Sequence, residues 1–405
     1  MKEILESGDL SSAHRCPPRE ELTGMRDPRG LQDGSRYLPT LDGWRAIAVA
    51  IVICDHGGPE IFQWLGLRDI HRLLGHGDRG VDIFFAISGL LICTRLLEEE
   101  SRSGRISLAS FYIRRAFRIL PAALLYLLAV AALVLFGLLR VSRLDWFGSL
   151  FFFRNYTVTL QPPIVNWWFT SHFWSLSVEE HFYLLLPALL VCLPKWRLRA
   201  LGALILAVLG WRTLVKYGLG LNPSTYVLWR ASHSDCRLDS LLIPAFLAVW
   251  LYRPGNRERM RAILPWWAIL ILAPLYGYLT LRFGSWPQDN ALPPFLILST
   301  MLHPNMPISR MLEWAPLRWV GRLSYSLYLW QMLFFCGYIS EGRPLGILER
   351  WPVNLLCLAA CAVGSYYCVE RPLIRVGHAL ARRAAAKPAP AMPASIATGA
   401  DAVAV

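Results

Sequence analysis

The stretch LDGWRAIAVAIVICDHGG, residues 41–58, has the apolar composition of a membrane-spanning helix, yet it carries Arg45 near one end and Asp55 and His56 further along. An ionisable side chain in mid-membrane is costly, and it usually faces a bundle interior or a water-filled cavity instead of lipid. At about 100° per residue the step from Arg45 to His56 is three turns plus only about 20°, so both project from one face, roughly 16 Å apart along the axis. Asp55 points about 100° away and faces a different neighbour. The stretch therefore predicts a helix with one face on a wet cavity, Arg45 near the interface and His56 about halfway through.

The rest of the chain supports a membrane setting. Of its 405 residues 55% are hydrophobic and only 17% charged, so long apolar runs must hold most of it. Its 17 Trp, 15 Tyr and 18 Phe suit rings seated at two membrane interfaces. The net charge of +13 comes in short Arg clusters between apolar runs, which is the positive-inside pattern and not a soluble nucleic-acid-binding module. The nine Cys include no CxxC pair, and Cys54, Cys93, Cys192, Cys357 and Cys361 lie inside apolar runs, a pattern that supports neither a zinc site nor a disulfide framework.

A crossing needs roughly 20 mostly apolar residues. Ten stretches qualify, near 44–64, 80–97, 119–139, 173–193, 200–217, 237–252, 263–281, 290–304, 319–338 and 353–370, with Pro274, Pro293 and Pro294 interrupting the seventh and eighth. The basic segments 98–118, 195–199, 253–261 and 371–383 all fall on one side of such a bundle, which assigns that side to the cytoplasm. The expectation is an all-α, polytopic membrane helix bundle of about ten transmembrane helices with both termini cytoplasmic. Residues 37–376 form that bundle; polar residues 1–36 and the small-residue, low-complexity stretch 377–405 are expected to be disordered cytoplasmic tails. There is no repeat at a fixed period and no soluble second domain.

Several further polar residues sit within apolar runs. In RGVDIFFAISGLLICTRLL (79–97), Asp82 either meets Arg79 or orients an imidazole, while Ser88 and Gly89 read as helix-packing positions. In FYIRRAFRILP (111–121), Arg115 and Arg118 share a helix face and can grip a multiply anionic group, although ordinary positive-inside anchoring is the plainer reading. HFWSLSVEEHFYLLLP (172–187) places Ser175 and Glu179 on one stripe and Ser177 and His181 on another, a density suited to the mouth of a cavity. Of these, Glu179 is the functional candidate, with Glu180 and His181 peripheral. In HSDCRLDS (233–240), Asp235 and Asp239 flank Arg237, which reads first as a structural ion-pair network, with acceptor binding as the alternative.

At this point the chain resembles the acyltransferase 3 group of integral membrane acyltransferases, over about residues 37–376. The likeness is carried, in family order, by YLPTLDGWRAIAVAIVICDH with its Arg, ten residues, His pattern (Arg45, His56), RGVDIFFAISGLLI, the Arg-x-x-Arg of FYIRRAFRILPA (Arg115, Arg118), FWSLSVEEHFYLLLP, RLDSLL, VGRLSYSLYLWQ and VERPLI. The sequence departs from that pattern at Gln331, where relatives often have His.

The resemblance implies O-acylation of a glycan, lipid-linked sugar or secondary metabolite, with acyl-CoA, commonly acetyl-CoA, as donor substrate arriving from the cytoplasm. No permanently bound cofactor or metal and no nucleic acid is expected; the partners are acyl-CoA, a hydroxyl acceptor and the bilayer of the cell (inner) membrane. Joined to the residue reading, Arg45, Arg115 and Arg118 are the donor-binding candidates and His56, Glu179 and Asp82 the catalytic ones. His56 either deprotonates the acceptor hydroxyl or carries the acyl group itself. The competing class is a secondary transporter or flippase, which also uses mid-membrane charges but tends to show paired halves with matching broken helices.

Overall fold

The computed structural model describes residues 38–57, 76–160, 167–220, 222–283, 291–335 and 344–386. Both expected tails apart from 377–386, the first apolar stretch beyond Gly57 and residues 161–166 lie outside these residues. Every regular element among the described residues is helical. That follows from long apolar runs, because backbone amides without water must be satisfied within their own segment.

The first half contains α1 (Pro39–His56), α2 (Gly77–Ser103), α3 (Leu108–Leu135), α4 (Arg143–Leu150), α5 (Arg154–Leu160), α6 (Phe173–Cys192), α7 (Arg197–Tyr217) and α8 (Pro223–Ser232). The second half contains α9 (Ser234–Arg237), α10 (Asp239–Leu251), α11 (Asn256–Ile263), α12 (Ala268–Phe283), α13 (Leu292–Leu302), α14 (Pro307–Leu312), α15 (Ala315–Phe334), α16 (Val353–Ser365) and α17 (Arg371–Ala386).

Each of the ten apolar stretches overlaps a helix. By length and composition, however, five helical stretches among the described residues are sufficient to cross a membrane: Gly77–Ser103, Leu108–Leu135, Trp167–Cys192, Arg197–Tyr217 and Val353–Ala385. The pair α11 and α12, bent by 67°, makes a sixth if it is one broken span. α10 and α13 are apolar but short, and α1 carries Asp42, Arg45 and Asp55 within its 18 residues. Pro293 and Pro294 do not break their helix; they fall in the first turn of α13, where an amide hydrogen has no partner to lose.

α1 lies between α2 and α15, α2 also packs on α10, and α10 on α7. Between apolar helices in lipid, close backbone approach takes over much of the role that water exclusion plays elsewhere. Gly321 of α15 abuts the backbone carbonyl of Asp42 in α1, and Gly89 of α2 abuts the Leu241 carbonyl and Pro244 of α10; a methyl group at either glycine would overlap its neighbour.

α16 continues through a five-residue π turn, Tyr366–Glu370, into α17, which returns against α3. The helix therefore runs to Ala386, past the position 377 at which a disordered tail was expected. The physical reason is packing: Gly377 and Ala381, one turn apart, are buried, with Gly377 against Phe117, while Arg375, Arg382 and Arg383 remain exposed.

Candidate active site

Two cavities lie side by side in the bundle. The first brings together Arg45, Arg115, Arg118 and Glu179, with Ser88, Ser175, Tyr183 and Tyr325 in its walls. α1 presents Arg45, whose Nη1 donates to Asp42 Oδ1 at 2.9 Å. α3 begins at Ser107, whose hydroxyl accepts the Ser110 amide at 3.3 Å, and its next turns deliver Arg115 and Arg118 to the cavity. The Arg115 guanidinium stands 5.1 Å from the centroid of the Tyr183 ring and 5.7 Å from that of Phe111, so it is held by aromatic faces and not by a competing carboxylate salt bridge. Arg114 on the same helix is used differently, donating to Glu99 at 2.9 Å.

α6 contributes Ser175 and Glu179, four residues apart as one helical stripe requires. The Ser88 hydroxyl of α2 donates to the Glu179 carboxylate. Ser88, read from the sequence as a packing position, thus belongs to the cavity, whereas Gly89 beside it does pack. Arg45 is paired with Asp42, and the guanidiniums of Arg115 and Arg118 still outnumber the Glu179 carboxylate, which leaves a cationic site.

The second cavity is lined by His56 and Asp55 of α1, Asp78 of α2, Trp167, His172, Trp174 and Arg237. Asp55, expected to face a different neighbour from His56, borders the same cavity. Val81 and Tyr328 line both cavities and so form the partition between them. The Tyr328 hydroxyl bonds the Ser175 hydroxyl at 2.5 Å and donates to the His172 carbonyl at 3.2 Å. His56 Nδ1 lies 3.1 Å from Oε1 of Gln331 on α15. An imidazole held at one nitrogen beside a polar cavity can exchange a proton or form a bond at the other.

The structure does not bring Asp82 to His56. Its carboxylate accepts from Arg237 at 2.6 Å and from Arg79 at 3.5 Å, and it lines neither cavity. The flanking residues of Arg237 have other partners: Asp239 pairs with Arg212, and Asp235 accepts from the indoles of Trp211 at 2.5 Å and Trp229 at 3.2 Å. The ion-pair network is thus real but spans different elements from those the sequence spacing suggested. His181 turns to Ser234 at 2.6 Å, away from the Glu179 stripe. Among the described residues no group of three or more His, Cys, Asp or Glu is placed to hold a metal ion.

Sequence reasoning passed over Tyr328 and Glu370, and it named Gln331 only as a departure from the family pattern. Tyr328 carries no signal distinguishing it from an interfacial tyrosine. Glu370, in the π turn, is buried and accepts from Ser326 and, at 3.5 Å, from Ser365; its signal was a lone carboxylate in the apolar run before RPLI.

Residues 38–370 match the family model Acyl_transf_3, described as an acyltransferase domain. The chain is 29% identical over 380 residues to O-acetyltransferase OatA of Staphylococcus aureus, an alignment covering 84% of this chain and 58% of the relative. It is 30% identical over 379 residues to the putative peptidoglycan O-acetyltransferase YrhL of Bacillus subtilis, covering 84% and 55%. It is 30% identical over 332 residues to peptidoglycan O-acetyltransferase OatA of Listeria monocytogenes, covering 73% and 49%. The chain thus spans about half the length of the curated relatives it matches. No solved structure matches it. The matched region contains both cavities and every residue of the Arg–His pattern on α1, and the chain belongs to the acyltransferase 3 family.

Proposed function

We propose that the protein is a membrane-embedded O-acyltransferase that moves an acyl group, commonly acetyl, from acyl-CoA to a hydroxyl of a glycan. The observation that carries this reading is the juxtaposition of a cavity with three arginines and a cavity with a histidine across the single partition of Val81 and Tyr328. Arg45, Arg115 and Arg118 hold the donor's phosphates, since guanidinium forks match phosphate oxygens and such charge-assisted bonds strengthen away from bulk water. The thioester end then extends past Tyr328 toward His56.

At His56 two routes fit the geometry. In the first, the imidazole takes the acceptor's proton as the hydroxyl oxygen bonds to the thioester carbonyl carbon; the C–S bond breaks, and the departing thiolate receives the proton. In the second, the imidazole nitrogen itself bonds to the carbonyl carbon and CoA leaves as the thiolate; the acceptor oxygen then displaces the imidazole, whose freed nitrogen takes the hydroxyl proton and passes it to the thiolate. Glu179, bound to Ser88 among the arginines, orients the donor end.

The glycan acceptor is favoured by two lines. Relatives are named peptidoglycan O-acetyltransferases. The His56 cavity also offers Trp167 and Trp174 as faces for sugar C–H groups and Asp55 and Asp78 as hydroxyl acceptors. With the basic segments assigned to the cytoplasm, the arginine cavity opens on the donor's side and both termini lie there, in a bundle of about ten crossings of the cell membrane.

The test is acyl transfer in proteoliposomes supplied with labelled acetyl-CoA and a glycan oligomer. Wild-type protein transfers label to the glycan, and His56→Ala, inserted and monodisperse, does not. Retained transfer in that variant, or unmodified substrate crossing the vesicle without acylation, overturns the reading.

A further inference from the structure

We propose that Gln331 is the positioning residue that sets the tautomer of His56 and makes Nε2 its reacting nitrogen. The inference rests on the reading of His56 as the group that takes the acceptor's proton or its acyl group.

Gln331 is fully buried on α15, and its Oε1 faces His56 Nδ1 at 3.1 Å. A carbonyl oxygen only accepts, so Nδ1 carries the hydrogen; in a neutral imidazole the lone pair then resides on Nε2. Packing alone does not account for an amide at this position. The neighbouring residues of α15 are apolar, an unbonded buried amide is costly, and Nε2 of Gln331 has no hydrogen-bond partner among the described residues, so the bond to His56 is the return on burying that head group. The two residues are also held in register. α1 and α15 run parallel, clamped at one end where Gly321 abuts Asp42 and joined at the other by Gln331 and His56.

The choice of a neutral acceptor has a chemical consequence. The amide oxygen keeps its hydrogen bond whether the ring is neutral or protonated, yet it does not stabilise the cation as a carboxylate would. Nε2 takes the hydroxyl proton, the imidazolium retains Nδ1–H on Gln331, and the proton passes from Nε2 to the leaving thiolate. In the covalent route the same Nε2 forms the acyl bond. The other titratable or charged groups bordering this cavity are Asp55 on α1, Asp78 on α2, His172 before α6, Arg237 on α9 and Tyr328 on α15.

The experiment compares Gln331→Leu and Gln331→Glu with wild type in the full chain, reconstituted in vesicles, measuring kcat and donor KM for acyl transfer across pH. Gln331→Leu lowers kcat at least about tenfold, within the 10²–10⁴-fold that a positioned base contributes, and leaves donor KM unchanged. Gln331→Glu, of the same shape, places a carboxylate on the ring and moves the acidic limb of the pH–kcat profile up by about one to three pH units, with activity recovering above it. If Gln331→Leu fails to fold, the profile of Gln331→Glu decides alone. A Gln331→Leu protein with wild-type kcat, or a Gln331→Glu profile that does not move, overturns the proposal. Loss of transfer in His56→Ala alongside unaffected Gln331 variants removes this inference only; retained transfer in His56→Ala removes the reading beneath it.

Discussion

Arg237 donates to Asp82 at 2.6 Å across 155 positions of sequence, while Arg79 meets the other carboxylate oxygen at 3.5 Å. One carboxylate thus bridges two guanidiniums, and all three side chains are buried. Removing one partner from a buried ion pair costs about 3–5 kcal/mol, because the remaining charge is stranded. Asp82→Ala is accordingly expected to lower the thermal stability of the detergent-solubilised protein by an amount of that order. Replacing Asp82, Arg79 and Arg237 together by apolar residues is expected to cost less. A catalytic aspartate would give the opposite result, a stable but inactive Asp82→Ala protein.

Arg115→Ala and Arg118→Ala are each expected to raise donor KM about 10- to 100-fold, the equivalent of roughly 1.5–3 kcal/mol for one hydrogen bond to a charged group. Arg114→Ala serves as the comparison, since Arg114 is occupied by Glu99 and does not line the cavity; its donor KM should match wild type. Steady-state kinetics over a range of acetyl-CoA concentrations reads both.

Glu179→Gln keeps the shape of the side chain and leaves an amide oxygen for the Ser88 hydroxyl, so the protein should fold normally. Its kcat is expected to fall by about tenfold or more through loss of the carboxylate charge. Ser88→Ala removes one bond from that carboxylate and should have a smaller effect. Equal activity in Glu179→Gln and wild type would show that the carboxylate is dispensable.

Gly321→Ala forces a methyl group into the Asp42 carbonyl. Overpacking of this kind costs about 1–3 kcal/mol. Because Asp42 also holds Arg45 at 2.9 Å, donor KM should rise together with the fall in melting temperature. A stability loss with unchanged KM would show that Arg45 keeps its place without that contact.

Outside the spanning segments, burial lowers the imidazole of His233 to about 4, against a smaller opposing effect of Asp235. The ring also bonds Thr159 at 2.8 Å. The unfolded chain therefore binds a proton near pH 6.5 that the folded chain refuses until about pH 4. Stability from this group is present above pH 6.5 and is lost as pH falls toward 4. Melting temperatures measured from pH 7.5 down to 4.5 should drop less steeply for His233→Gln than for wild type.

Local sequence was enough for most features that depend on local periodicity, although it set Asp55 apart from the cavity that it shares with His56. The apolar runs required helices. The 11-residue step placed Arg45 and His56 on one face of α1, the three-residue step placed Arg115 and Arg118 on one face of α3, and the four-residue step put Ser175 and Glu179 on one stripe of α6; all six residues border the two adjoining cavities. What only the tertiary structure decided are the choices of partner. Gln331 meets His56 across 275 positions, Asp82 takes Arg237 and not the His56 imidazole, Ser88 joins Glu179 instead of simply packing, and Tyr328 stands between the cavities. Helical spacing specifies the direction in which a side chain points but not which helix lies there, and that depends on close contacts such as Gly321 on Asp42 and Gly89 on Leu241 that join segments far apart in the chain.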